Sequence, residues 1–223
     1  SHRIDFSLQF RERKTMSIEV LPDMRVVVIA PVGCAVDKVY DKVRKRSRWI
    51  LKQQKFFAQF EPRTPRRQYV SGESHYYLGR QYRLRIRAGS ESRVKLQGGY
   101  FYISLPEPDL ERVREQLEQC YRKKAESHIP QVLEKMAAQL RNLPAYTLQL
   151  RKMETRWGSC SPSGRITLNP ELIKAPRACI EYVALHELCH LIHPDHGSQF
   201  WQLIEDHMPD WKKWKLRLEK MLG

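Results

Sequence analysis

Ala184-Leu185-His186-Glu187-Leu188-Cys189-His190-Leu191-Ile192-His193-Pro194-Asp195-His196 is the stretch from which the rest of the chain can be read. Residues four apart lie on one helix face with Cβ atoms about 5–6 Å apart, so His186 and His190 can present two imidazoles to one small cation. Zinc suits that pair. Glu187 stands next to His186, where its carboxylate can reach a water on the cation without becoming a ligand itself. Zinc lowers the pKa of such a water from about 15.7 to about 7, which makes a carboxylate base effective at neutral pH. The flanking Val183, Ala184, Leu185, Leu188, Leu191 and Ile192 are apolar, as expected of a buried active-site helix.

A catalytic zinc usually takes three protein ligands and leaves one position to solvent. His196 is the third ligand in this reading. Pro194 stops the helix, after which the chain can turn back and bring His196 to the metal from the other side. The rival, His193, lies seven residues after His186 on the same stripe. At 1.5 Å per residue it sits about 10 Å along the axis, too far to close a tetrahedron. Of the eight histidines in the chain, half fall between positions 186 and 196. A shuffled sequence of this composition yields only about 0.02 copies of His-Glu-x-x-His. Cys189, the one soft ligand nearby, points off the His186/His190 face and reads as core packing.

Upstream of this helix, Pro176 suits a first helical turn, and the helix is expected to run to about His193. Two short strands, Thr147–Met153 and Arg165–Asn169, bracket a loop containing Gly158, Pro162 and Gly164. A helical pattern covers Asp109 to about Asn142 and is expected to kink or split at Pro130. Two further helices close the chain. Pro106 and Pro108 mark a change of character, and we place the domain boundary there, with residues 106–223 forming the catalytic domain.

The first half reads as β-rich. Apolar alternation at Ile4–Phe10, Thr15–Leu21 and Met24–Ala30, with Pro22-Asp23 between the last two, signals strands and a hairpin. Val39, Tyr40, Val43, Trp49, Ile50 and Phe57 recur at helical spacing among many lysines and arginines, which predicts a basic amphipathic helix. A proline-marked loop at 61–67 follows. Strand signals return at Tyr76–Leu78, Gln81–Arg87, Val94–Gln97 and Tyr100–Leu105, which predicts a second antiparallel sheet. The expected class is α+β, with an antiparallel β-rich domain at 1–105.

Composition narrows the function. With 223 residues, 41% hydrophobic and 29% charged, the chain is a folded protein rather than a collagen-like or disordered one. The longest uncharged apolar run of the first half, Val26 to Val36, is too short to span a bilayer and contains a proline. The opening Ser1-His2-Arg3-Ile4-Asp5 lacks the charged-then-apolar run of a secretory signal. The 5 cysteines are odd in number and show no Cys-x-x-Cys spacing, which points to a reducing, cytoplasmic compartment. The net charge of +15 is uneven: residues 1–105 carry 22 Lys+Arg against 9 Asp+Glu, and residues 106–223 carry 18 against 16. That basic half favours an anionic partner such as nucleic acid.

Several further segments resemble the YgjP-like metallopeptidases, which are related to the SprT-like and WLM zinc peptidases. They are Arg156-Trp157-Gly158-Ser159-Cys160-Ser161, Ile166-Thr167-Leu168-Asn169-Pro170-Glu171-Leu172-Ile173, Tyr182-Val183 through His196, and Ser198-Gln199-Phe200-Trp201, with weaker matches at Gly72-Glu73, Tyr77-Leu78-Gly79 and Trp49-Ile50. The resemblance covers most of the chain. It implies metal ligands at His186, His190 and His196, with Glu187 as general acid/base. It also implies a zincin-like fold, in which the active-site helix lies behind a small sheet whose edge strand pairs with an extended polypeptide substrate. Arg165–Asn169 looks like that strand, so Arg165, Ile166, Thr167, Leu168 and Asn169 are the expected substrate-binding residues. Arg156 is a candidate for stabilising the tetrahedral oxyanion, with a plain salt bridge as the competing role. Packing is the plainer reading of Trp157, Phe200 and Trp201.

The resulting expectation is a zinc metallopeptidase. Two other readings stand beside it. One is a nucleic-acid-associated module that docks through its basic half, with a structural zinc or with action on DNA-bound proteins, as in the related peptidases. The other is a metal-dependent hydrolase of a different amide.

Overall fold

The computed structural model describes residues 3–21, 23–58 and 67–222. Contacts divide the chain into two units, Ser1–Pro65 and Arg66–Gly223. Most of the proline-marked loop expected at 61–67, and Pro22 of the expected hairpin, lie outside the described residues.

The first unit holds β1 (Phe6–Arg11), β2 (Ser17–Val20), β3 (Val26–Pro31) and α1 (Val36–Ala58). Alternate residues Val26, Val28 and Ala30 of β3 bury against Val39, Val43 and Ile50 of α1. β2 and β3 form the expected antiparallel pair, but β1 joins the other edge of β3 in parallel. Period-2 alternation fixes which face of a strand is buried and leaves its neighbour and direction open.

The second unit begins with β4 (Ser74–Tyr77), β5 (Arg80–Ala88), β6 (Arg93–Gln97) and β7 (Tyr100–Leu105) in the order β4-β5-β7-β6. The two hairpins are antiparallel, and they meet through a parallel pairing of β5 with β7, so this sheet is mixed rather than antiparallel. That register sets Leu84 beside Phe101 and Ile86 beside Ile103. The β6–β7 hairpin turns on Gly98 and Gly99, with φ of 56° and 81°. A two-residue turn of this hand needs positive φ at both positions, which glycine meets without strain.

α2 (Leu110–Ala137) follows, capped by Asp109, whose side chain accepts from the Arg112 amide, and it runs unbroken through Pro130. Leu84, Phe101, Ile103 and Leu105 share one core with Val113, Leu117 and Tyr121 of α2. Pro106 and Pro108 therefore mark a strand-to-helix turn inside a common core. The contact boundary falls at 65/66 rather than at the composition change at 105/106.

The remaining elements are β8 (Thr147–Leu150), β9 (Gly158–Cys160), β10 (Arg165–Leu168), a 3-10 turn (Pro170–Lys174), α3 (Arg177–Cys189), α4 (Ser198–His207) and α5 (Trp211–Leu222). The tip of the β4–β5 hairpin holds this region in place. Leu78 and Gly79 donate backbone hydrogen bonds to the carbonyls of Ile173 and Lys174. A Cβ on Gly79 would come within 2.6 Å of Pro176 Cγ, so the hairpin backbone abuts the residue that opens α3. No helix among the described residues is long and apolar enough to cross a membrane.

Candidate metal centre

α3 carries the first two histidines. It starts directly after Pro176 and ends at Cys189, short of the expected His193. Beyond it the Leu191 and Ile192 amides tighten onto the carbonyls of Leu188 and Cys189. His190 thus sits at the very end of the helix, and its Nδ1 donates to the carbonyl of Pro194 at 3.1 Å. This bond places the proton on Nδ1, fixes the ring's orientation and leaves the Nε2 lone pair free for a cation. The turn through Pro194 returns the chain as anticipated, and His196 Nε2 lies 3.1 Å from His186 Nε2.

One nitrogen from each of His186, His190 and His196 lies within 4.8 Å of the others. Bonds of 2.0–2.1 Å at a tetrahedral angle put ligand nitrogens about 3.3 Å apart, so this spread suits one zinc-sized ion. Proton affinity points the same way. Burial, with His190 and His196 adding to it, pushes His186 down to about 3. Burial and His190 also lower His196. Both imidazoles are neutral at pH 7, as cation binding requires. The inward-facing Nδ1 of His186 is buried without a hydrogen-bond partner. A positive charge on this ring would therefore have no compensation from protein.

Glu187 is only 5% exposed. Burial pushes its carboxyl up to about 7, against the opposing pull of the Arg156 guanidinium. Both residues line the same cavity of about 820 Å³, together with the three histidines. Arg156 is therefore a wall of the cavity. Cys189 is fully buried, and burial pushes its thiol up to about 12, consistent with packing rather than ligation.

The expected substrate strand needs correction. β10 is the central strand of the order β8-β10-β9, paired in parallel with β8 and antiparallel with β9. Arg165, Ile166, Thr167 and Leu168 thus have both backbone edges engaged and offer no free edge to a peptide. Ile166, Thr167 and Leu168 are also buried. Asn169 is buried as well, and its side-chain amide donates to the carbonyls of Met153 and Arg156 while its oxygen accepts from the Glu171 amide. It ties down the loop that carries Arg156.

β9, which sequence reading leaves inside a loop, supplies the outer edge of this sheet. Gly158, Ser159 and Cys160 all line the cavity. A Gly-Ser-Cys triplet has neither alternation nor β-branching to signal a strand. The aromatic residues also do more than fill space. The Phe200 ring lies 5.0, 4.6 and 4.7 Å from the rings of His186, His190 and His196, so all three imidazoles pack around it. His196 stacks on Trp201, Trp201 on Trp211, and Trp211 on Tyr182 of α3. The column links the loop histidine back to the helix bearing the other two.

The family that the chain matches makes it a metal-dependent peptidase. The model of the YgjP-like metallopeptidase domain matches residues 14–221, and the chain belongs to the YgjP-like family. Among solved structures, it is similar to the metallopeptidase zymogen abylysin of Pyrococcus abyssi, with 25% identity, a TM-score of 0.40, and coverage of 42% of this chain and 94% of that one. It is also similar to the metallopeptidase zymogen jannalysin of Methanocaldococcus jannaschii, with 19% identity, a TM-score of 0.39, and coverage of 43% and 90%. Among curated proteins there is no match.

Proposed function

We propose that the chain is a zinc peptidase of zincin-like architecture in which His186, His190 and His196 hold the ion and Glu187 is the general base. The observation that carries this reading is the convergence of three imidazole nitrogens within 4.8 Å of one another beside a carboxyl group held near neutrality. Zinc, when bound, supplies Lewis acidity towards a carbonyl and towards water.

The chain's own residues supply the rest. Glu187, poised at about 7, takes the proton of the attacking water and delivers it to the leaving amine. Arg156, facing the same cavity, places a fixed positive charge where the carbonyl oxygen gains negative charge. The free edge of β9, rather than the central β10, is the edge open to a peptide. An extended peptide pairing its backbone with Gly158–Cys160 would be bound with little reading of side chains, so cleavage is expected to be of loose specificity. The reading of a reducing, cytoplasmic compartment rests on 5 free cysteines.

Glu187→Gln tests the mechanism. The variant is expected to bind one zinc per chain and to lose at least about 100-fold in peptide cleavage, within the usual contribution of a general base. Undiminished cleavage by the zinc-loaded variant would remove Glu187 from the reaction. Failure of the wild-type chain to bind zinc would remove the metal assignment.

A further inference from the structure

The outward face of the four-stranded sheet is chemically unlike the rest of the second unit. Its inward residues, among them Leu84, Phe101 and Ile103, are buried. Alternation then turns Arg83, Arg85 and Arg87 of β5, and Arg93 and Lys95 of β6, to the other side, where all five are exposed. Between these two strands runs β7, which presents Tyr100 and Tyr102. The register sets Arg83 beside Tyr100, Arg85 beside Tyr102, and Lys95 across from Tyr102.

The result is two rows of cations flanking a tyrosine ladder. The Tyr100 and Tyr102 rings lie 5.7 Å apart, and the Arg85 guanidinium sits 4.1 Å from the Tyr100 ring centre. The outward positions of β4 to β7 hold no carboxylate at all. Among the described residues, none of the five cations has a carboxylate partner. A cavity of about 310 Å³ opens at one end, lined by Arg87, Arg93, Lys95, Gln97, Tyr102 and Ser104. Five cations with no carboxylate among them on one sheet face present a continuous positive surface to an anionic occupant.

We propose that this face binds single-stranded nucleic acid, with backbone phosphates on Arg83, Arg85, Arg87, Arg93 and Lys95 and bases stacked on Tyr100 and Tyr102. Charge alone would serve any polyanion. The tyrosines select among them, because a base offers a flat π-face and an acidic polypeptide or a lipid headgroup does not. A sheet face with aromatic rings on neighbouring outward positions is also how RNA-recognition modules stack successive bases. The site lies in the same unit as the histidine cluster but uses none of its residues, so it stands or falls independently of the peptidase mechanism.

Fluorescence anisotropy of a labelled twelve-nucleotide oligo-dT with the full chain provides the test. If all five cations engage, log Kobs against log salt has a slope of about −3.5. Arg83→Gln/Arg85→Gln/Arg87→Gln is expected to weaken binding at least tenfold and to flatten that slope to about −1.4. Tyr100→Leu and Tyr102→Leu, which keep the charge, are each expected to weaken it about fivefold or more. Arg44→Gln/Lys45→Gln/Arg48→Gln on α1 removes as much charge and is expected to change affinity less than twofold. A 5-iodouracil oligonucleotide, photocrosslinked to the wild-type chain, is expected to mark the peptide carrying Tyr100 and Tyr102, a readout that needs no variant to fold. The proposal is overturned by crosslinks confined elsewhere, by tyrosine variants of unchanged affinity, or by equal losses from the α1 and sheet variants. Tighter binding of poly-glutamate or of phosphatidylserine vesicles than of the oligonucleotide also overturns it, and reassigns the face to an acidic protein or a membrane.

Discussion

Gly158 of β9 lies directly against the side chain of Glu187 on α3: a Cβ at position 158 would stand 2.5 Å from Oε1 and 2.7 Å from Cγ of the carboxylate-bearing chain. The strand edge and the helix approach so closely that only hydrogen fits between them. This contact limits the space open to the Glu187 side chain. Gly158→Ala must therefore push Glu187 aside. A displacement of about 1 Å at a reacting group can cost about 100-fold in rate. We expect kcat to fall by that order while zinc stoichiometry stays at one, as read by atomic absorption on the purified variant. Full activity in Gly158→Ala would mean that the carboxyl group is positioned by something other than this strand.

His196 owes its place to its neighbours rather than to a helix. It is held between Trp201, stacked at 5.5 Å, and the edge of Phe200. Trp201→Leu keeps an apolar side chain but removes the flat surface. Partners that orient a ligand typically contribute 10- to 100-fold in metal affinity. We expect zinc affinity, measured by competition with a chromophoric chelator, to fall within that range, and peptidase activity to return at saturating zinc. Lost activity that saturating zinc does not restore would assign Trp201 to substrate binding instead.

Asn169 is a structural residue at the end of β10. Its amide satisfies the carbonyls of Met153 and Arg156 in a buried setting. Removing such a donor leaves acceptors unpaired, at a cost of about 1–3 kcal/mol. For Asn169→Ala we expect a loss of that size in urea unfolding, with kcat affected through Arg156 and no selective rise in KM. Unchanged stability with a raised KM would return Asn169 to the substrate site.

The convergence of His186, His190 and His196, with Glu187 beside them, is legible in sequence because its signal is local. Spacing by four puts His186 and His190 on one face, and Pro194 forces the turn that returns His196, whichever core surrounds them. What sequence could not supply was pairing between distant segments. Alternation in Arg165–Leu168 marks a strand equally well at the centre or the edge of a sheet, and the decision was made by the three-residue β9, which carries no strand signal of its own. The parallel pairings of β1 with β3 and β5 with β7 were hidden for the same reason. Pro106 and Pro108 read as a boundary because composition changes there. Nothing in composition reveals that Phe101 and Val113, on either side, bury against one core.

Glu73 and the buried His75 pair in a part-buried setting that gives the second unit a pH dependence away from the histidine cluster. Glu73 accepts hydrogen bonds from the amides of Gln68 and Tyr69 and from His75 Nε2 at 3.1 Å. Burial works to raise the Glu73 carboxyl, but these hydrogen bonds outweigh it and hold the group below the usual carboxylate value. Burial lowers His75 against the opposing pull of Glu73. The signs agree. The unfolded chain protonates His75 near 6.5 and Glu73 near 4.5, whereas the folded chain resists both. The stability each group contributes is thus full above those values and lost as pH falls through the folded-state ones. His75→Gln keeps a donor for Glu73 and removes the first of the two losses. In urea titrations of the metal-free chain, we expect wild type to exceed His75→Gln in stability at pH 7.5 and the gap to close as the pH falls below about 6.5. A gap that widens on acidification would show that His75 is protonated in the folded chain and held by Glu73 as an ion pair.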